Sequence, residues 1–310
     1  MKKILVITDT KKSSINQCNA LIDNYSKRKK TKINYQIIEK KGIHFLPNFL
    51  IYYYLLIKSF IKINLNFDHD LIISCGRISA PYSLFYKRFF KCKNIHILDP
   101  YLFRNRFDVI IIPSHDNVEP TNSKNIVPII GTFVLKKNLS RDSINKFSKL
   151  FKKKKIVSCF IGGDGKSSKF SRENVINCVS KINNIDDKFC IVYCFSRRTS
   201  AMIKNTIKLK KKNQHLIFDY DEINPYWYLI KKSQFFIVSE DSVSMISDTI
   251  SSGKPVYIQK IDFVKWKIRY FVQILQKQGF VRYYSGKLDM WRYEPLNESL
   301  RVSKIIDRLI

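Results

Sequence analysis

Short apolar runs rich in β-branched residues recur along this chain, and helix-like stretches separate them. The runs fall at 4–7, 33–38, 71–74, 95–98, 109–112 and 126–130, then at 156–161, 189–195, 216–218, 235–238 and 256–258. Helix-like stretches lie at 15–25 and 79–89, and again at 172–183, 201–209, 225–232 and 243–251. A run that is apolar at every position needs cover on both of its faces. Alternation with helices supplies that cover in a parallel sheet. The pattern predicts an α/β protein with two Rossmann-like domains facing a cleft. A length of 310 residues suits two domains of ordinary size. The first domain is expected at 1–135, a Lys-rich linker region at 136–155, and the second domain at 156–310. Helices at the C-terminus have the option of packing back on the first domain.

One unit of the pattern is especially informative. The run 235–238 leads into Ser239-Glu240-Asp241-Ser242-Val243-Ser244-Met245, then a helix-like segment, then Gly253-Lys254-Pro255-Val256. This βαβ unit places its polar loop at the carboxyl end of the first strand, where open α/β sheets bind ligands and helix N-termini offer N–H groups to phosphates. Ser242 or Asp241 can equally serve as the helix cap. Glu240 and Asp241 would repel a phosphate set directly against them, so they suit sugar hydroxyls or general-base work.

Four other strand-end loops would share the cleft. Gly76-Arg77 permits close backbone approach and offers a guanidinium fork for a phosphate or carboxylate, or forms an ordinary strand–helix turn. His115-Asp116 follows the run 109–112, where the His could act as a general base or be structural. Gly162-Gly163-Asp164-Gly165-Lys166-Ser167 looks like a phosphate loop, yet G-x-x-x-x-G-K-[ST] would need Gly where Phe160 stands. An NTPase is excluded on that spacing, while backbone N–H groups and Lys166 stay available to an anion. Ser196-Arg197-Arg198-Thr199 sets two guanidinium and two hydroxyl groups after a strand, which suits a diphosphate or a solvated helix start.

The formal charge is +31, from 56 Lys and Arg against 25 Asp and Glu. The lysines are spread along the whole chain, with many Ile and Asn, as an AT-rich coding bias would give. No nucleic-acid recognition signature accompanies them, so nucleic acid is not the expected partner. The seven cysteines form no C-x-x-C pair and sit largely in apolar runs, which fits a reducing cytosol. The N-terminal run reads as a first strand, because its apolar core is too short for a signal peptide. Residues 43–65 contain Phe49-Leu50-Ile51-Tyr52-Tyr53-Tyr54-Leu55-Leu56-Ile57, bounded by Pro47 and by lysines, too short to span a bilayer. Two readings stay open: a buried packing helix, or a helix resting on an anionic membrane surface. The chain is accordingly read as cytoplasmic, with peripheral placement at the inner face of a membrane as an option.

The run Asn224-Pro225-Tyr226, Ser239 to Met245 and Gly253-Lys254-Pro255-Val256-Tyr257 resembles the plant "elongated mitochondria" fission-factor family and its bacterial relatives. Gly76-Arg77, Phe107-Asp108, residues 113–116, Ile161-Gly162-Gly163, residues 196–199 and the tail from Trp291 to Val302 resemble it too. Bacterial members are described as predicted nucleoside-diphosphate-sugar epimerases, so the resemblance implies a GT-B-like fold whose second domain holds the nucleotide sugar. It also implies that a carboxylate on the helix before the Gly-x-Pro turn binds ribose. Asp248 stands there in place of the usual Glu, and Glu240-Asp241 replaces the usual small-residue loop. Plant members act as adaptors that bring a dynamin-related GTPase to the mitochondrial surface.

Two functions follow as expectations. In the first, a metal-independent enzyme uses a nucleoside-diphosphate sugar for glycosyl transfer or epimerisation, with no further cofactor. Gly76, Arg77, Gly162, Gly163, Lys166, Ser196, Arg197, Arg198, Thr199, Asp241, Ser242 and Asp248 would bind substrate. His115, Asp116 or Glu240 would act as base. Asp68-His69-Asp70 precedes a strand and is read as a strand-entry turn, not a metal site. In the second, the same fold serves as a non-catalytic, membrane-peripheral adaptor.

Overall fold

The structure, a computed structural model, describes residues 1–61, 67–116, 124–151, 154–220 and 224–309. It divides into two compact units, residues 1–135 with 297–310, and residues 136–296. In the first unit, β1 (Lys2–Asp9), α1 (Lys12–Ser26), β2 (Thr31–Ile38), α2 (Asn48–Ile61), β3 (Leu71–Cys75), α3 (Ala80–Phe89), β4 (Lys93–Ile97), β5 (Val109–Pro113) and β6 (Ile126–Ile129) follow in order. The strands form one parallel sheet in the order β2-β1-β3-β4-β5-β6.

The apolar runs form strands here because both faces are covered. On β5, Val109 and Ile111 join a cluster with Ile4, Val6 and Leu21, whereas Ile110 and Ile112 pack with Leu84, Phe85 and Phe107. Successive residues of a strand point to opposite faces, so the two clusters lie on opposite sides of the sheet.

The second unit comprises α4 (Arg141–Leu150), β7 (Lys155–Ile161), β8 (Ser168–Lys169), α5 (Arg172–Asn183), β9 (Phe189–Phe195), α6 (Ala201–Lys210), β10 (Leu216–Phe218), α7 (Tyr226–Lys232), β11 (Phe235–Ser239), α8 (Val243–Ile250), β12 (Val256–Gln259), β13 (Phe263–Val264), α9 (Trp266–Lys277) and β14 (Val281–Tyr283). Its main sheet is parallel, in the order β10-β9-β7-β11-β12-β14, and β8 pairs with β13 in a short antiparallel ladder. The chain winds outward from β7 in one direction and from β11 in the other. That reversal makes the β7/β11 border the topological switch point. The register places Val238 beside Phe160 and Ile161 beside Phe195, so the loops after β7, β9 and β11 leave the sheet in one row.

Some segments depart from the sequence reading. The region 136–155, read as linker, carries α4, capped by Ser140 accepting from the Ser143 backbone N–H; 152–153 lie outside the described residues. Helix α9 and strand β14 have no counterpart in the sequence pattern. In the apolar segment 43–65, α2 buries Ile51 and Tyr52 and exposes Phe49, Leu50, Tyr53, Tyr54 and Ile57, while 62–65 lie outside the described residues. After the second unit the chain returns as α10 (Glu298–Leu309), which packs on α1. All seven cysteines are free thiols, and six are buried.

Candidate functional site

The row of loops at the β7/β11 switch point converges on one carboxylate. Asp241, with a fully buried side chain, accepts from the Gly163 backbone N–H at 3.2 Å and from Arg198 Nη2 at 2.7 Å. Ser239 Oγ donates to its other oxygen at 2.6 Å and itself accepts from the Gly162 N–H at 2.7 Å. The arrangement requires both glycines. A Cβ at Gly162 would lie 2.0 Å from Asp241 Oδ1, and one at Gly163 would lie 1.8 Å from the Arg198 carbonyl oxygen. Thr199 ties the β9 loop to the β7 loop, since its hydroxyl donates to the Gly162 carbonyl at 2.6 Å and accepts from the Ser196 N–H at 2.8 Å. Burial pushes the Asp241 carboxyl above its ordinary pKa, against the pull of Ser239, Arg198 and Gly163.

This reshapes the expected diphosphate grip. Gly163 and Arg198 do form an anion seat at the carboxyl edge, but Asp241 fills it. Ser242 takes the alternative role of helix cap, accepting from the Met245 N–H at 3.4 Å. Arg197 is exposed and leans over the Tyr220 ring, 5.7 Å from its centroid. Lys166 is exposed in a turn closed by the Gly165–Ser168 pairing.

Beside Asp241, Glu240 is buried with Oε1 3.7 Å from Arg269 Nε and within 3.4 Å of the Tyr283 hydroxyl. Its Oε2 has no hydrogen-bond partner among the described residues. Burial raises the Glu240 pKa, with Arg269 opposing. Burial and then the neighbouring Glu240 push the Tyr283 hydroxyl up to about 12, so it stays a donor. In the second turn of α8, Asp248 accepts from the Tyr226 hydroxyl at 2.7 Å; burial pushes its pKa up to about 7, with Tyr226 pulling it back. Tyr226 is held by Phe160, ring centroids 4.7 Å apart.

Arg269, Tyr283 and Tyr226 were not singled out as site residues from sequence. Arg269 could have been found, because Ile268, Phe271, Val272 and Leu275 repeat at helical spacing around it. Tyr283 ends a strand of three residues, too short to give a pattern.

The remaining expected residues belong to the first unit. Gly76 follows β3 with φ of +86°, facing Asp9 and Ser14. Arg77 is not a free fork, which corrects the expected anion clamp. It donates to the carbonyls of His44 at 2.8 Å and Leu46 at 3.1 Å, and to Asn48 Oδ1 at 3.3 Å. Asn48 in turn donates to the carbonyls of Arg77 and Pro100. His115 is buried and Asp116 half-buried in a short turn after β5, and both engage other groups of the chain. Asp70 accepts from the Lys3 backbone N–H and Asp68 pairs with the Lys3 ammonium, so this pair does fasten a strand entry. Among the described residues, no three His, Cys, Asp or Glu gather as a metal site.

Residues 13–310 match the family described as Mitochondrial fission ELM1. The chain belongs to that family. Its similarity to the uncharacterized protein RP120 of Rickettsia prowazekii is 30% identity, covering 98% of this chain and 97% of that one. The mitochondrial fission protein ELM1 of Arabidopsis thaliana is 26% identical over 77% of this chain, which spans 63% of that protein. Among solved structures, UDP-GlcNAc 2-epimerase from Methanocaldococcus jannaschii superposes with a TM-score of 0.57 at 14% identity, covering 99% of each chain. The Neisseria meningitidis enzyme bound to UDP-GlcNAc gives 0.54 at 15% identity, covering 99% of this chain and 98% of its own. This member of the ELM1 family therefore has the fold of those epimerases: two Rossmann-like lobes of the GT-B kind.

Proposed function

We propose that this ELM1-family protein binds a nucleoside-diphosphate sugar at the switch point of its second unit and transfers or epimerises the sugar. The observation that carries the reading is the anion seat. Gly163 N–H and the Arg198 guanidinium already hold a carboxylate, and a phosphate oxygen satisfies the same donors in the same directions. Binding would be an exchange: diphosphate enters, Arg198 and the exposed Arg197 close on it, and Asp241 swings out. Asp248 would accept the ribose hydroxyls. Glu240 would serve as acid or base at the sugar, since its burial favours the neutral form and so moves its pKa toward the working range. His115 and Asp116 stay candidates for the base. The fold shared with UDP-GlcNAc 2-epimerases supports this ligand class.

The same seat also favours a second reading, a non-catalytic adaptor, because an internal carboxylate leaves no vacancy for a diphosphate. Thermal-shift and calorimetric titration with UDP-, GDP-, ADP- and CMP-sugars separates the two. The enzyme reading expects a specific shift in the wild type, weakened roughly 10- to 100-fold by Arg197→Ala/Arg198→Ala. Asp241→Asn, which removes the competing charge, should tighten binding. Binding only in Asp241→Asn would mean that the native seat is closed, in favour of the adaptor. Binding in neither protein would overturn the nucleotide-sugar site.

A further inference from the structure

Helix α2 is apolar on two opposite faces, and only one of them is covered by the protein. Tyr52 is buried in the cluster of Leu84, Phe85, Phe107 and Ile110, with Leu55 and Leu56 packed against it. On the other side, Leu46, Phe49, Leu50, Tyr53, Tyr54 and Ile57 are 41–64% exposed. Their spacing of three, one, three, one and three residues puts them on a single stripe along the helix. Isolated exposed apolar residues are ordinary, but a continuous stripe of six marks an interaction surface. The stripe is held firmly, because Arg77 and Asn48 pin the turn that opens the helix.

The charge around the stripe selects its occupant. From Lys40 to Phe67 the sequence contains no Asp or Glu. Lys40 and Lys58 are exposed at its two ends, Lys41 pairs there with Glu39, and Lys40 Nζ lies 4.8 Å from the centroid of the exposed Phe45 ring. A second copy of this chain would set these lysines against their own symmetry mates, on a protein of formal charge +31. An anionic lipid surface instead accepts every feature: apolar side chains enter the acyl boundary, Tyr53 and Tyr54 keep their hydroxyls at the headgroups, and the lysines meet phosphates.

We propose that α2 and the turn before it lie flat on an anionic phospholipid bilayer and anchor the first unit there. The inference goes beyond the nucleotide-sugar reading and stands without it. The test is flotation of the full chain with vesicles of phosphatidylglycerol and phosphatidylcholine, beside vesicles of phosphatidylcholine alone. Binding to the mixed vesicles is expected to weaken with salt and to fall about tenfold or more in Phe49→Ser/Tyr53→Ser/Ile57→Ser. The substituted side chains are half-exposed, so the melting temperature should hold. A Tyr53→Trp variant gives a second readout that does not depend on removing side chains: its added fluorescence should be quenched by brominated acyl chains. Absence of wild-type binding would overturn the proposal, as would equal binding by the triple-serine variant, which would reduce the effect to bulk charge. A wild-type dimer that the serines dissolve, without lipid binding, would assign the stripe to a second copy and overturn it as well.

Discussion

At the scale of single residues, the best-placed titrating group is Asp248, whose folded pKa of about 7 lies above the roughly 3.9 of an unfolded Asp. Between those values the folded chain keeps a proton that the unfolded chain has released. The contribution of Asp248 to stability is therefore full below about pH 4 and is lost as pH rises toward 7, at up to about 1.4 kcal/mol per pH unit. Urea unfolding of wild type and Asp248→Asn from about pH 4 to 7 should show the wild type losing stability relative to the variant by this slope; parallel curves would mean that Asp248 ionises freely. The sequence sets Asp248 on the helix before the Gly-Lys-Pro turn and Tyr226 in a separate motif, but their hydrogen bond is visible only in the fold. Asp241 shows the same limit. A local pattern reveals that Gly162, Gly163, Arg198 and Asp241 each sit at a strand end. Only the sheet order, which sets β7 between β9 and β11, reveals that they satisfy one another.

Elements were legible where many residues repeat one period and illegible where a few polar ones interrupt it. The 11 apolar runs all became strands; in the interior of each sheet a β-branched run covered on both sides has no better conformation, and the half-exposed run 33–38 forms the edge strand β2. Strand β14 escaped notice because Arg282 stands in the middle of its three residues. Helix α4 escaped because lysines dilute an apolar face in which only Phe147 is fully buried. The loop after β3 shows how an element can claim a residue meant for a ligand. Arg77 looked like an anion fork, whereas the start of α2 needs donors for the carbonyls of His44 and Leu46. Arg77→Ala should lower stability by about 1–3 kcal/mol and leave nucleotide-sugar affinity unchanged. Urea unfolding and calorimetric titration of the same sample check both halves; lost affinity with stability intact would restore the anion clamp.

For the whole molecule, the decisive feature is that the last helix completes the first unit. Val302 and Ile306 of α10 are buried in the same cluster as Ile4, Val6, Cys18 and Leu21. Polar contacts fix its register on α1: Asn24 Nδ2 donates to Ser299 Oγ at 3.0 Å, and Arg28 pairs with Asp307 at 2.6 Å. Arg301 adds a bond to the carbonyl of Pro128 at the β6 strand. The core of the second unit draws instead on Val157, Val179, Ile191, Ile203 and Ile237. A chain that ends before residue 297 would thus leave one face of the first sheet open, however well the second unit folds. Placing a charge in that face, by Val302→Asp or Ile306→Asp, leaves a carboxylate without a partner where an apolar side chain belonged, at a cost of about 3–5 kcal/mol. Hydrogen exchange read by mass spectrometry should then show protection falling in β1 and β3 while β7 and β11 keep theirs. An equal loss in all four strands would mean that the two units unfold as one, and that the return of the chain at α10 couples them energetically instead of completing a separate core.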